Sequence, residues 1–455
     1  MSLDDGMFEA LIPSRFIVFT IPNSIPSSAA TDRCFLHTQF LRIAVLDSPQ
    51  QPSTDTPRTA AMFVPLHREN DWIFTTEAGH LQLLFSCPEI SRLILVGNDP
   101  SHFHPFAYDR PESIDSNHRE SIEVSLTPLL FALSPRISFR NGLPEIPFLA
   151  YEDEVIRSVI TERCIGSLVG EMIVEDVELD SKLSMREFRR RLRFKRMPNL
   201  IQTQMLIVPC DDDSENLKEM KFKPEIGILV HPYLTPMVAA LSLISLHLGE
   251  KFQFGNRPNA LCLGVGGGAL LSFLNSQLGF DVVGVEADEI VLAIAKRHFG
   301  LQEGDNVSLV KGDAIKFVEQ LASGVMNRSC KSVSEFDVIM VDLDSTEASF
   351  GMSAPSMEFV EHSVLVATRL VLSNMGIVIV NVISPCRLFY EKVIHRFRLV
   401  FNELYEIDVD NGENRILIGS ALPIAAANSE GCSDYFLGKL RLVLSGAYMN
   451  SLHKL

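Results

Sequence analysis

The residues with the clearest chemistry stand where four short apolar runs end. The first run leads into Leu263-Gly264-Val265-Gly266-Gly267-Gly268-Ala269-Leu270. Glycines there let the backbone turn sharply and approach a ligand at a helix N-terminus, which makes Gly264, Gly266, Gly267 and Gly268 candidate cofactor-binding positions. The spacing Gly264-x-Gly266-x-x-Ala269 also fits a dinucleotide fingerprint, and a tight strand–helix turn without a ligand reads the same way. Glu286 ends the second run, 22 residues after Gly264, where a carboxylate accepts from ribose hydroxyls. Asp313 and Ala314 follow the third run, in reach of an adenine amino group. The fourth run ends Val341-Asp342-Leu343-Asp344-Ser345-Thr346-Glu347. Each acid alone reads equally well as a helix cap or a loop charge. Acids at three successive run ends argue against that.

An acidic mouth suits a sulfonium, and equally an amine, because both are cationic; it repels a nicotinamide cofactor's pyrophosphate. Transfer of a methyl group from a sulfonium needs an unprotonated nucleophile held in line, and a carboxylate can align that amine or accept its proton. Asp344 is the candidate catalytic carboxylate, with Asp342 bracing the cofactor side. The reverse assignment, Asp342 on the substrate and Asp344 capping the loop, also fits. His231 and Tyr233 precede a helix that could cover the pocket, as entrance or as packing. His102 and His104 flank Phe103 without a third ligand, and the eight cysteines include no CxxC pair, so no metal site is expected.

The runs belong to an alternating pattern. Pro232–Leu248 suits a helix, Ala260–Gly264 a strand and Ala269–Leu278 a helix. Val282–Glu286, Val307–Val310, Phe336–Asp342 and Ile377–Asn381 follow as strands, separated by helices over Asp288–Phe299, Ala314–Leu321 and Met357–Leu372. Such alternation implies a doubly wound parallel sheet covered by helices on both faces. Asn411-Gly412, between Leu404–Val409 and Arg415–Ile418, signals a terminal antiparallel hairpin. The expected fold is therefore α/β, a Rossmann-like seven-stranded sheet of the S-adenosylmethionine-dependent methyltransferase type, over residues 220–455.

Residues 1–210 read as a mixed α/β or β-rich domain of unassigned role. Strand-like runs occupy Arg15–Ile21, Cys34–Leu46, Ala60–Pro65, Trp72–Thr75, Arg92–Val96 and Leu168–Val177, with helices over Thr76–Cys87 and Glu120–Leu133. The basic run Arg186–Arg196 interleaves Phe188, Leu192 and Phe194, as a strand with a solvated charged face would, and the acidic Asp211–Glu215 reads as a linker. The 455 residues carry 40 Lys+Arg against 57 Asp+Glu, a net charge of −17, which disfavours nucleic acid and anionic lipid as partners. No apolar run reaches the ~18 residues of a membrane span, and the acidic N-terminus lacks a signal-peptide n-region. Scattered cysteines suit a reducing compartment, so the expected location is the cytoplasm.

At these residues the sequence resembles a known family. Leu261–Leu270, Val285–Asp288, Asp337–Pro355 and Glu413–Gly419 are similar to the C-terminal domain of the methyltransferase-like protein 13 family, with Phe336–Ser345 and Gly351-Met352-Ser353 the most specific pieces. The likeness extends upstream through Arg190-Arg191-Leu192 and Gln202 and, more loosely, into residues 34–180. It implies an enzyme that uses S-adenosyl-L-methionine to methylate the N-terminal α-amine of translation elongation factor 1-alpha. The family's separate N-terminal domain modifies a lysine of the same substrate. No second glycine motif precedes residue 200, so that domain and its lysine activity are expected to be absent. The same C-terminal domain is similar to spermidine synthases, whose catalytic aspartate aligns with Asp344 and implies aminopropyl transfer as the alternative. Their diamine-holding acid is replaced in Tyr233-Leu234-Thr235-Pro236-Met237, and Glu347-Ala348 replaces their Asp-Pro, which also keeps an inactive scaffold in view.

Overall fold

The computed structural model describes residues 6–25, 36–50, 57–100, 107–111, 116–180, 186–210, 216–326, 335–344, 354–384, 386–409, 412, 414–424 and 435–455. Two compact units emerge. The first comprises Met1–Thr161, Glu175–Glu187 and Lys195–Leu200; the second comprises Glu162–Val174, Phe188–Phe194 and Ile201–Leu455.

In the first unit five strands form a mixed sheet in the order Phe16–Pro22, Phe40–Asp47, Arg92–Asn98, Thr59–Phe63, Phe148–Leu149. The first three pair antiparallel, and Thr59–Phe63 runs parallel to both of its neighbours. Helices Glu77–Phe85 and Ser116–Ala132 supply apolar side chains to the cores beside this sheet, such as Leu83 and Leu84 on one side and Ile122 and Leu126 on the other. One expectation fails: Trp72–Thr75 is a helical turn, not a strand. Asp71 accepts the Ile73 N–H at 3.1 Å, and Thr76 caps the next helix by accepting from Gly79 at 3.1 Å. Two caps in succession outweigh the strand preference of Trp, Ile, Phe and Thr.

The second unit carries the expected sheet. Its strands are β1 (Asn259–Leu263), β2 (Asp281–Glu286), β3 (Val307–Lys311), β4 (Phe336–Val341), β5 (Leu372–Ile383), β6 (Glu403–Asp408), β7 (Asn414–Ser420) and β8 (His453–Lys454). They lie in the order β3-β2-β1-β4-β5-β7-β6-β8. β1 to β5 are parallel, as their uninterrupted apolar runs require when both faces are covered. β7 inserts antiparallel between β5 and β6, closing the hairpin anticipated at Gly412, whose φ is +75°. Asn411 lies outside the described residues. β8 extends the sheet by pairing with the outer edge of β6.

The helix expected over Pro232–Leu248 is broken into Leu234–Ala239, a tighter 3-10 turn over Ala240–Ile244, and Ser245–Gln253. The one expected over Met357–Leu372 begins only at His362. Helices Arg387–Arg398 and Tyr435–Val443 were not foreseen. An antiparallel ladder Phe188–Phe194, Ile201–Pro209, Phe222–Pro224 adds Leu192, Phe194 and Met205 to the larger core of this unit. No helix among the described residues is long and apolar enough to cross a membrane.

Candidate active site

The sheet brings the ends of β1, β2 and β4 to one edge, and the glycine loop fills the corner between them. Gly264 has φ +88°, and a Cβ there would lie 2.2 Å from the Asp342 carbonyl oxygen. Only glycine lets the strand turn against its neighbour. Gly268, at φ +80°, opens the helix Ala269–Phe273. Thr203, from the Ile201–Pro209 strand, accepts the Gly267 N–H at 2.8 Å and fixes the loop from outside.

Glu286 ends β2 and closes onto the same loop, accepting from Val265 N–H at 3.1 Å and Gly266 N–H at 3.3 Å while its other oxygen takes the Asp288 N–H at 3.2 Å. Burial raises its pKa; the three N–H bonds oppose this, and the nearby Asp344 charge adds to it. Asp288 is fully buried. It caps the helix Glu289–His298 and also accepts the backbone N–H groups of Leu168 at 2.7 Å and Val169 at 3.2 Å. That holds the turn after Val155–Gly166 beside the loop.

Asp342 follows β4 and receives two neutral donors, the Tyr233 hydroxyl at 2.7 Å and Asn381 Nδ2 at 3.0 Å. Asn381 in turn accepts from Asn414 Nδ2 at 2.8 Å, so a buried relay runs across β4, β5 and β7. Burial raises the Asp342 pKa, and the two hydrogen bonds offset only part of it. The Tyr233 hydroxyl is pushed well above its ordinary value by burial, by its bond to Asp342 and by the charge of Asp344. Asp344 is half-buried, and its charge is felt at both Tyr233 and Glu286. The fourth acid stands apart in character. Asp313, after β3, is exposed and caps the helix Ala314–Met326 by accepting from Ile315 at 2.9 Å and Lys316 at 3.1 Å.

Gly264–Gly268, Glu286, Asp342 and Asp344 thus share one edge. Ser345, Thr346, Glu347, His102 and His104 lie outside the described residues. Thr203, Asn381 and Asn414 were missed by sequence reasoning. Asn381 left a trace: it is a lone amide in the apolar run Ile377–Ile383.

An order of β3-β2-β1-β4-β5-β7-β6, a reversed seventh strand and a glycine loop after β1 are the fold of the S-adenosylmethionine-dependent methyltransferases and their aminopropyltransferase kin. No protein-family model matches the chain. It is similar to the eEF1A lysine and N-terminal methyltransferase of Danio rerio, 26% identical over 400 residues covering 83% of this chain and 53% of that protein. The Homo sapiens protein of that name is 26% identical over 397 residues, 82% of this chain and 52% of the relative. The chain therefore spans about half the length of the curated relatives it matches. A polyamine aminopropyltransferase of Vibrio vulnificus is 27% identical over 170 residues, 36% of this chain and 51% of that one. Among solved structures, human methyltransferase-like protein 13 in complex with SAH is 27% identical, with a TM-score of 0.40, covering 47% of this chain and 93% of that chain.

Proposed function

We propose that this chain is an S-adenosylmethionine-dependent protein methyltransferase that acts on an amine, the N-terminal α-amine, or a lysine, of translation elongation factor 1-alpha. The observation that carries this reading is the convergence of Glu286, Asp342 and Asp344 around the glycine loop, three carboxylates facing a cationic donor and a cationic acceptor. Cβ atoms on the glycine loop would collide with the protein's own backbone and side chains, so glycine is what lets the chain turn at the end of β1, where the donor is proposed to bind. In this reading Glu286 takes the ribose hydroxyls and Asp313, whose second oxygen lies 3.9 Å from Lys316 Nζ, takes the adenine amino group. When bound, S-adenosylmethionine supplies an electrophilic methyl group on a sulfonium. One carbon–sulfur bond breaks, one carbon–nitrogen bond forms and one proton leaves the nitrogen.

Asp342 is immobilised by Tyr233 and Asn381 and braces the donor side. Asp344, nearer the mouth, aligns the amine and takes its proton. Tyr233 keeps its own proton under these conditions and acts only as a donor to Asp342. A cytoplasmic site of action accords with that substrate. The curated relatives over 82–83% of the chain favour this reading. The polyamine match keeps aminopropyl transfer as a second reading, against which Leu234-Thr235-Pro236 offers no acid to hold a diamine.

The test is incubation with labelled S-adenosylmethionine and purified elongation factor 1-alpha, followed by peptide mass spectrometry. Label on the N-terminal amine or a lysine is expected. Reaction of decarboxylated cofactor with putrescine, and no label on protein, overturns it in favour of aminopropyl transfer.

A further inference from the structure

Asn414 opens β7 opposite Ile383 of β5, and Asn381 lies two residues back along β5, opposite Ile416. Their side chains meet diagonally across the ladder, Asn414 Nδ2 donating to Asn381 Oδ1 at 2.8 Å. Both are buried, at 6% and 2% exposure. An amide in such a position costs free energy unless it is hydrogen-bonded, and two apolar side chains would pack this sheet without that cost. What the pair adds is a direction. A charged carboxylate only accepts, so Asn381 must turn its NH2 toward Asp342 Oδ1, which it does at 3.0 Å. That leaves the Asn381 oxygen facing Asn414, which donates to it. The second Asp342 oxygen takes the Tyr233 hydroxyl at 2.7 Å.

We propose that Asn414 is a positioning residue for the Asp342 carboxylate: it locks the Asn381 amide in the orientation that donates, so that Asp342 keeps its charge for the cationic methyl donor. The part about the donor rests on the methyltransferase reading above; the lock itself does not. Without a donor at 414, the Asn381 amide can turn over and set its oxygen against Asp342, two acceptors face to face. Asp342 then holds a proton in place of its charge. Burial already works against that charge, and the bonds from Asn381 and Tyr233 are what oppose it. The other titratable groups around Asp342 do not replace the lock. Tyr233 and, on β1, Cys262 are both raised, by burial first and the Asp342 charge next, and stay neutral. His231, whose ring packs 4.6 Å from that of Tyr233, is neutral too: burial, followed by the charges of Arg189 and Arg191, lowers its pKa to about 4 against the pull of its bond to the Ile201 carbonyl. Asp344 carries a charge of the same sign as Asp342, felt at Tyr233 and at Glu286 on β2.

The experiment uses the full chain and two ligands that differ by one methyl group and one positive charge, S-adenosylmethionine and S-adenosylhomocysteine. Their affinity ratio, read by calorimetry, isolates the charge that meets the sulfonium. In the unaltered chain the ratio should fall as pH drops through the titration of Asp342, and Asp342→Asn should remove that step. Asn414→Leu, close in size but without a donor, should lower the ratio about tenfold at neutral pH, the size of one lost bond to a charged group, and move the step to higher pH. Asn414→Val, a good strand former that also lacks a donor, should do the same. Asn414→Gln keeps an amide donor and should hold the ratio within about twofold of the unaltered chain. Affinity for S-adenosylhomocysteine should stay within about twofold in the three Asn414 variants, which reports an intact fold. Infrared difference spectra against Asp342→Asn, taken without ligand at neutral pH, should show a protonated carboxyl band in Asn414→Leu and none in the unaltered chain. A role in sheet packing alone would lower the unfolding midpoint of Asn414→Leu while ratio, step and band stay as they were, and that result overturns the lock. An unaltered chain that binds neither ligand, with the band still appearing in Asn414→Leu, overturns the methyltransferase reading and leaves the lock standing.

Discussion

Strand β4 carries a carboxylate at each end, and the protein treats the two in opposite ways. At the amino end Asp337 is fully buried and receives His247 Nε2 at 2.8 Å, Lys251 Nζ at 2.7 Å and the Asn259 N–H at 2.8 Å. Burial works against its charge, but those bonds outweigh it and hold the pKa below the ordinary range. At the carboxyl end the donors to Asp342 among the described residues are neutral, and burial wins. Glu286 and His231 beside it are likewise shifted against charge. One end of the sheet holds its charge with cations and is built for stability. At the other, the hydrogen-bond partners of Asp342 and Glu286 among the described residues are neutral donors, and a buried carboxylate so held gains from an incoming sulfonium or amine.

Asp337→Ala leaves Lys251 and His247 without their carboxylate and should lower unfolding free energy by about 3 kcal/mol, with turnover per folded molecule unchanged. Denaturant titration beside a rate assay checks both halves, and a loss of turnover in the folded fraction would erase the division between the ends. Acid should act on the two ends in sequence. His231, and His80 in the first unit, have folded pKa values lowered to about 4 from 6.5. Their unfolded forms bind protons first, so the stability they contribute is complete above about pH 6.5 and is lost as pH falls toward 4, by about 3 kcal/mol for each histidine. Asp337 has the same sign at lower pH: its contribution is present above the unfolded value and fades only as pH falls through its lowered folded value. Hydrogen exchange between pH 7 and 4 should therefore show residues around His231 opening before those around Asp337; simultaneous opening would count against the contrast.

At the carboxyl end, Asp344→Asn should cut turnover about 100-fold while cofactor affinity stays within about twofold. Lost affinity with an unchanged rate per bound cofactor would move Asp344 to the cofactor side. Glu286→Ala should weaken S-adenosylmethionine binding about tenfold through its lost ribose bonds, read by calorimetry. Asp313→Ala should have the smallest effect, a loss of helix capping below about 1 kcal/mol with a few-fold change in cofactor affinity.

The sequence by itself determined the alternation of strands and helices in residues 259–420, the hairpin at Gly412, and the glycine loop with an acid after each of three strands. These are local signals: apolar period, cap chemistry and backbone freedom act within a few residues. The tertiary structure decided everything that depends on a partner far along the chain. Asp337 and Asp342 are both aspartates on one apolar run, and nothing near them in sequence tells them apart. The difference comes from Lys251, 86 residues away, and Tyr233, 109 residues away. Likewise, Thr203 becomes part of the loop, and Asn381 and Asn414 part of a relay, only once the sheet sets them side by side. Burial and charge pairing depend on which side chains the fold brings together, and that is why the positions of the candidate residues were legible while their electrostatics were not.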